Sequence, residues 1–227
     1  MTMNQTALSP NALRWLKHSL STNSPIPNQI TNSQEGEIEV RGKWMPFTAN
    51  TIYRQNPDSF IWKARLSLNP AVWVVAEDGH DGEIGWGGSK LWGFVPMGRR
   101  KGAEVFSMQV VRSLAELPWK PQFALASPTL EWTDSGENSF DVRAMAADES
   151  VSVRFTLNKD GEIMRASSQR YYDVPNGFVK VPWHYAFSNY MDFDGVWLPA
   201  TAVATYEKQD GPWEYWRGRI MSVKNER

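Results

Sequence analysis

Two charged residues of the chain are spaced so that they can act together. Arg112 and Glu116 lie four residues apart, so on a helix the guanidinium and the carboxylate meet on one face. Arginine ahead of glutamate is the weaker orientation for a solvated pair, worth at most about 0.5 kcal/mol. We therefore expect both side chains to make tertiary contacts, with Arg112 partly buried and facing the sheet or a pocket mouth. A structural role and a ligand-contact role both stay open.

The three histidines, His18, His80 and His184, do not form a metal-binding motif. No two of them are four residues apart, and there is no His-Glu-x-x-His sequence, so we predict no metal site. His80 lies within Asp78–Gly82, whose aspartates and glycines are typical of a turn. We therefore interpret His80 as a turn residue rather than as a base or a ligand.

Sequence motifs for nucleophilic catalysis and phosphate binding are also missing. Ser89 follows two glycines, but in a glycine-rich hairpin rather than in a strand–elbow–helix. The run Gly85–Lys90 lacks the phosphate-loop and dinucleotide spacings, and we expect its glycines to permit strand curvature or the close approach of a ring. His184 beside Asp192 or Asp194 could act as a general base, although no spacing requires it, and the periodicity places Asp194 in a turn. We predict no catalytic residue and no cofactor.

Composition and charge exclude several classes of protein. The 227 residues contain no cysteine, which rules out disulfides, thiolate catalysis and cysteine-type metal sites. The balance of 24 basic and 25 acidic residues argues against non-specific nucleic-acid binding. No apolar stretch is long enough for a transmembrane helix. Residues 1–11 show no signal peptide, so we expect a cytoplasmic protein, exported only if a leader was removed.

Aromatic residues are unusually frequent, with 12 Trp, 7 Tyr and 10 Phe. Each buried aromatic side chain removes about 150–250 Å² from water, so this many require a large concave or two-sided interior. An ordinary aromatic core explains the composition. The alternative is that some of these rings line a pocket for an apolar ligand.

Hydrophobic periodicity predicts two helices and about ten or eleven strands. The first helix begins at Ser9-Pro10-Asn11 and runs to about Ser21, with Leu13, Leu16 and Leu20 on one face. The second spans about 103–117 and ends at Pro118. Strand runs alternate between apolar and polar residues, as in Ser59–Leu68, and are separated by hairpin signals such as Asn158–Gly161.

This order of elements predicts a mainly β fold. We expect a strongly curved antiparallel sheet, a half-barrel or open barrel, with the N-terminal helix and the central helix packed across its concave face. A closed, lipocalin-like barrel is the alternative. Residues 12–224 are predicted to form a single domain, with residues 1–11 as a flexible N-terminal segment.

Several motifs together resemble a bacterial family of unknown function. They are Trp44–Phe47, Phe60–Ala64, the Arg-x-Leu-x-Glu-x-x-Trp-x-Pro run from Arg112 to Pro121, Arg170, Pro182-Trp183 and Gly195–Pro199. The resemblance covers about residues 12–224 and implies no reaction and no functional residues. The element order is also similar to that of lipoprotein-carrier folds, which bind acyl chains in the apolar concavity of a half-barrel. That similarity is a fold-level analogy.

We therefore expect a non-enzymatic protein that binds an apolar or amphipathic molecule, such as an acyl chain or a lipid. Arg112 would meet a carboxylate or phosphate at the mouth, and the basic run Arg99–Lys101 is either solvated or meets an anionic headgroup. Two alternatives stay open: an enzyme acting on a small hydrophobic substrate, with Glu116, Arg112 or His184 as acid or base, and an interaction module with a filled core. The candidate ligand-binding residues are Arg112, Glu116, Trp119, Trp62, Trp183, Tyr185, Phe187 and Trp197.

Overall fold

The N-terminal helix α1 (Pro10–Ser19) begins where its capping signals predict. In the computed structural model, which describes residues 8–21, 24–55 and 58–226, the Ser9 side chain accepts a hydrogen bond from the backbone N–H of Ala12. Trp15 is fully buried, whereas Leu13 is only half-buried, so the buried face is rotated from the predicted leucine stripe. Part of the predicted flexible segment, residues 1–7, lies outside the described residues.

The described part of the chain contains thirteen strands, more than the ten or eleven predicted. Their bounds are β1 Gln29–Val40, β2 Lys43–Arg54, β3 Ser59–Asn69, β4 Val72–His80, β5 Gly85–Leu91, β6 Val95–Lys101, β7 Glu131–Gly136, β8 Ser139–Ala146, β9 Glu149–Leu157, β10 Ile163–Val174, β11 Gly177–Phe193, β12 Val196–Lys208 and β13 Gly211–Glu226. Strand β7 gives no strand signal in the sequence, because it lies at a sheet edge and is mostly polar and exposed. The first half of β1 gives none either, because its buried positions include Asn32 and Gln34.

All thirteen strands belong to one antiparallel sheet that curves without closing. The order across the sheet is β6-β5-β4-β3-β2-β1-β13-β12-β11-β10-β9-β8-β7. The chain therefore starts at the centre, runs outward to β6, crosses to the far edge at β7 and returns to the centre. There β1 pairs with β13, from Gln29 opposite Glu226 to Ile38 opposite Trp216. The predicted half-barrel is confirmed, and the closed barrel is wrong because β6 and β7 remain as edges.

A helical segment connects these two edge strands across the concave face. It consists of α2 (Ala103–Ala115), one 3-10 turn (Leu117–Trp119) and α3 (Pro121–Ala124). Helix α2 is buried on nearly every side, since both its apolar and its polar residues are covered by the sheet. The concave face is therefore largely filled by the connection between its own edges.

The predicted turn at Asp78–Gly82 is wrong. Strand β4 continues through Asp78 and Gly79 to His80, and the turn lies at residues 81–84. This strand position requires glycine at residue 79, because a side chain there would collide with the carbonyl oxygen of Phe60 on β3. Gly82, with φ of 100°, is the glycine that the turn requires.

An aromatic cluster forms the centre of the core, between the helical segment and the sheet. Trp119 packs against Tyr185 and Phe187 of β11 and against Trp216 of β13, with ring centroids 5.6–6.2 Å apart. Its indole N–H donates to the Pro199 carbonyl oxygen at 2.9 Å. These contacts attach the 3-10 turn to the middle of the sheet and so fix where α2 ends.

Candidate functional site

Helix α2 carries a polar stripe that the sheet buries instead of leaving in water. Gln109, Arg112 and Ser113 lie on this stripe, and Glu116 caps the helix; all four are less than one-tenth exposed. Gln109 donates to the carbonyl oxygen of Trp86 at 3.1 Å. Buried polar groups must be hydrogen-bonded, so this stripe accounts for the tertiary contacts predicted for the helix.

Arg112 and Glu116 form a buried ion pair at the end of α2. Arg112 Nε donates to Glu116 Oε1 at 2.8 Å, and Nη1 lies 3.4 Å from Asp78 Oδ2 on β4. The guanidinium also lies 4.9 Å from the ring centroid of Trp62. Burial alone would lower the pKa of Arg112, but the carboxylates beside it raise that pKa, so the guanidinium stays charged.

Two tyrosines complete the shell around Glu116. The Tyr53 hydroxyl donates to Oε2 at 2.6 Å, and the Tyr185 hydroxyl donates to Oε1 at 3.2 Å. Burial, reinforced by the Glu116 carboxylate, raises the pKa of both phenols well above its usual value. Both tyrosines are therefore neutral donors, and Glu116, which is fully buried, is saturated by Arg112 and the two hydroxyls.

A second buried guanidinium, that of Arg170 on β10, lies near the first but is held differently. Its Nε donates to the Met108 carbonyl oxygen at 3.2 Å, and its Nη1 donates to the Tyr206 hydroxyl at 2.6 Å. The guanidinium lies 5.0 Å from the ring centroid of Trp183. Among the described residues, no carboxylate forms an ion pair with Arg170, although the residue is only 7% exposed.

Both arginines face an open cleft of about 580 Å³ between α2 and the concave side of the sheet. This cleft is the site to which the sections below refer. Its charged lining residues are Arg100, Arg112, Arg170, Asp78 and Asp173. Its aromatic lining includes Trp62, Tyr172, Tyr185, Tyr206, Trp213 and Trp216. The volume lies within the roughly 300–1,000 Å³ of small-molecule sites, and an apolar lining with a few polar groups is typical of them.

Each charged side chain in the cleft lining forms an ion pair, except that of Arg170. Arg100 of β6 lies 2.9 Å from Asp173 of β10, across the gap that the unclosed sheet leaves. Arg112 is held by Asp78, whose carboxyl pKa is raised by burial against the opposing effects of Arg112, Arg170 and Arg100. Arg170 is left with hydrogen bonds to neutral groups only, so an anion can still reach it in the cleft.

Most of the residues predicted from the sequence to bind a ligand lie together, in two layers. Trp62, Tyr185 and Arg112 line the cleft. The others in the group, Glu116, Trp119, Trp183 and Phe187, lie behind that lining in the packed core.

Trp197 lies apart from this group. Its indole N–H donates to Glu162 at 2.8 Å, and its ring packs edge-on against His18 of α1. It therefore does not line the cleft.

The two histidines considered for chemistry are both outside the cleft lining. His80 is buried edge-on between Phe60 and Phe106, and burial lowers its pKa to about 4. The turn predicted around it lies further on, at residues 81–84, because His80 ends strand β4, and His80 Nδ1 accepts a hydrogen bond from the Gly82 N–H of that turn at 3.3 Å. His184 contacts Arg165 Nη2 at 2.8 Å and lies near Glu207, not near Asp192.

Sequence reasoning missed the residues that give the cleft its chemistry, above all Arg170 and Tyr206. A signal for Arg170 was present, because it falls on the same alternation as the buried Ala166 of β10. An arginine at an inward-facing position of a strand is uncommon and requires a partner. The aromatic wall from β13, Trp213 to Trp216, could not be assigned to the cleft without knowing that β13 pairs with β1.

The sequence matches a known protein family. The model of a family of unknown function, DUF6544, matches residues 4–218. The chain belongs to this family. The match confirms the predicted resemblance to a family of unknown function over nearly the whole chain. No curated protein matches the DUF6544 chain in sequence.

Solved structures show what this DUF6544 chain is similar to in fold. A LolA superfamily protein from Nitrosomonas europaea aligns over 96% of this chain and 95% of its own, with 10% identity and a TM-score of 0.50. A candidate outer membrane lipoprotein-sorting protein domain from Vibrio parahaemolyticus aligns over 95% and 90%, with 10% identity and a TM-score of 0.47. The similarity to the first confirms the predicted likeness to lipoprotein-carrier folds.

Proposed function

We propose that the protein binds an amphipathic anion, an acyl chain that ends in a carboxylate or a phosphate, in the cleft beside α2. The single observation that carries this proposal is Arg170, a buried guanidinium that faces the cleft without a carboxylate partner. A buried charge without a counter-ion is unfavourable by several kcal/mol, on the order of 3–5 when a partner is removed. An anionic ligand that enters the cleft would supply the missing charge.

The walls of the cleft fit the apolar part of such a ligand. Aromatic side chains from five strands, including Trp62, Tyr185 and Trp213, face the same space. Burial of apolar surface contributes about 25 cal/mol per Å², and these rings supply the surface for an alkyl chain. The likeness in fold to a LolA superfamily protein supports a concavity of this kind.

Arg170 is the better candidate for the headgroup contact than Arg112, which the sequence analysis favoured. Arg112 is shared between Glu116 and Asp78, so a ligand anion would compete with two carboxylates for it. Arg170 donates to a backbone carbonyl and to a hydroxyl, both weaker acceptors than a charged group. Its Tyr206 partner is in turn fixed by donation to the Tyr171 carbonyl oxygen at 3.0 Å.

The test compares ligands that share a chain and differ in charge. Oleate and oleoyl lysophosphatidate are expected to bind the wild-type protein in calorimetric titrations, and oleyl alcohol to bind more weakly. Arg170→Met should weaken oleate at least tenfold, because charge-assisted hydrogen bonds are worth roughly 1.5–3 kcal/mol, and leave oleyl alcohol nearly unchanged. Arg170→Lys keeps the charge and should retain part of the affinity.

Arg165→Met is the matched control, since Arg165 is on the same strand and is about half-exposed outside the cleft lining. It should bind oleate as the wild type does. The proposal is wrong if folded wild-type protein binds neither anionic probe, or if Arg170→Met and Arg165→Met bind oleate equally well.

A further inference from the structure

The tip of the β5–β6 hairpin exposes large apolar side chains to solvent. Trp92, Phe94, Val95 and Met97, here named the hairpin patch, lie in the turn and in the first residues of β6. Phe94 is 71% exposed and Met97 is 61% exposed, and the rings of Trp92 and Phe94 stack with centroids 6.3 Å apart. Contiguous exposed apolar residues on a protein surface mark interaction sites, whereas scattered single residues do not.

The backbone at this tip is held in an unusual conformation. Trp92 has φ of 53° and Gly93 has φ of 82°, the pattern of a tight hairpin turn with two left-handed residues. The first of these positions favours asparagine or aspartate, and a bulky side chain there is strained. Two hydrogen bonds hold Trp92 in place, from its backbone N–H to the Trp73 carbonyl oxygen and from its indole N–H to the Ala71 carbonyl oxygen. The tip is therefore built to present these rings.

The β5–β6 hairpin itself carries charges of one sign. Residues 84–103 contain Lys90, Arg99, Arg100 and Lys101 and no aspartate or glutamate, although the chain as a whole has a net charge of -1. Aromatic side chains with nearby cations are what the surface of an anionic bilayer attracts, because tryptophan and phenylalanine enter the interfacial region and basic residues meet the headgroups.

We infer that the hairpin patch docks on an anionic lipid surface. A second copy of the chain is the other occupant that an exposed edge strand invites. The cations of β6 oppose that pairing, since both copies would bring Arg99, Arg100 and Lys101 to the same shared edge. The same cations favour phosphate headgroups, so charge complementarity selects the lipid surface.

Docking through this patch would bring the cleft to the lipid. Met97 belongs both to the hairpin patch and to the lining of the cleft, and Arg100 on the same strand forms the ion pair with Asp173 beside it. The inference does not depend on the ligand proposed above, because it is drawn from the exposed side chains of the hairpin tip and the charges of β5 and β6 and not from Arg170.

The test measures co-sedimentation with vesicles of phosphatidylcholine alone and of phosphatidylcholine with about 30 mol% phosphatidylglycerol. The wild type should bind the mixed vesicles several-fold better, and added salt should reduce that binding. The double variant Phe94→Ser/Met97→Ser should bind the mixed vesicles at least tenfold less. Arg99→Gln/Lys101→Gln should remove the preference for phosphatidylglycerol.

The matched control is Met145→Ser/Met221→Ser, which removes two exposed methionines on β8 and β13. This variant and Arg170→Met should bind vesicles like the wild type, so a failure of the ligand proposal leaves this result unaffected. The inference is overturned if the wild type does not bind the mixed vesicles, or if the Phe94→Ser/Met97→Ser variant binds them as well as the wild type. It is also overturned if sedimentation velocity shows a dimer that these substitutions abolish while vesicle binding persists.

Discussion

Replacing Glu116 by glutamine removes the carboxylate that holds three buried donors. Arg112, Tyr53 and Tyr185 donate to its two oxygens at 2.6–3.2 Å, and the residue is fully buried. Each hydrogen bond to a charged group contributes roughly 1.5–3 kcal/mol, and removal of one partner from a buried ion pair costs about 3–5 kcal/mol. Glutamine keeps one acceptor oxygen and nearly the same volume, so we expect the lower end of that range, about 3 kcal/mol.

The measurement is the free energy of unfolding from urea titrations followed by tryptophan fluorescence. A loss of about 3 kcal/mol is a large part of the roughly 5–15 kcal/mol that stabilises a folded domain. Glu149→Gln serves as the control, because Glu149 forms a short but exposed pair with Lys180 at 2.6 Å. Surface pairs of this kind contribute about 0–1 kcal/mol.

A double-mutant cycle then separates the ion pair from the other contacts of Glu116. Arg112→Met removes the buried cation, and the Glu116→Gln/Arg112→Met double variant leaves no uncompensated charge between these two positions. The double variant should be destabilised by less than the sum of the single variants, with a coupling of at least about 1 kcal/mol. If Glu116→Gln falls within about 1 kcal/mol of wild type, as Glu149→Gln should, then Asp78 alone compensates Arg112 and our account of the pair is incorrect.

Two further predictions concern the packing around strands β4 and β5. The pKa of His80 is lowered by burial to about 4 from 6.5, so the unfolded chain binds the proton more readily. The contribution of His80 to the free energy of unfolding should be constant above pH 6.5 and fall as the pH drops toward 4. In urea titrations the loss between pH 7 and pH 5 should be about 2 kcal/mol, and the His80→Gln variant should lack this pH dependence. Gly85→Ala should destabilise the protein by about 1–3 kcal/mol, because the new methyl group would collide with the backbone of Phe106 at the start of α2. Gly98 has open space around it, so the free energy of unfolding of Gly98→Ala should be within about 0.5 kcal/mol of the wild-type value. Equal losses of stability in the two alanine variants would contradict this explanation.

Much of the architecture could be predicted from the sequence because its signals are local. The capping serine of α1, the helical period of α2 and the alternation along β3 each depend on a few neighbouring residues. The asparagine-to-glycine hairpin at 158–161 and the turn at Asp194-Gly195 are local signals as well, and both are confirmed. The curvature of the sheet followed from the number of aromatic residues that had to be buried.

Features that depend on distant contacts could not be predicted in the same way. Glycine is a residue type typical of turns, and only the close approach of the Phe60 carbonyl oxygen explains why glycine occupies the strand position at residue 79. Strand β1 begins with polar residues whose burial follows from pairing with β13 at the other end of the sequence. Whether an aromatic residue such as Trp183 or Tyr185 packs in the core or lines the cleft depends on where α2 crosses the sheet, which periodicity does not encode.

The one helix of 13 residues that crosses the concave face also determines where a ligand can enter. Of the helices in the described part of the chain, none has the length and apolar character to cross a bilayer. Because the helical segment is joined to β6 at one end and leads to β7 at the other, it fills the middle of the concavity, and the cleft lies beside α2. The ion pair that spans this opening, Arg100 with Asp173, is about half-exposed and so contributes about 0–1 kcal/mol. Separating β6 from β10 there costs little, whereas Arg112 and Glu116 behind it stay fixed.

The two buried arginines are therefore expected to differ in role, Arg112 in the stability of the fold and Arg170 in the binding of an anion. Arg112 is compensated within the protein, so its substitution should lower the free energy of unfolding. Arg170 is held by neutral acceptors only, so its substitution should act mainly on the affinity for an anion. A buried cation without an ion-pair partner lowers the stability of the folded protein. An anionic ligand that pairs with Arg170 would explain why this cation lies in the cleft.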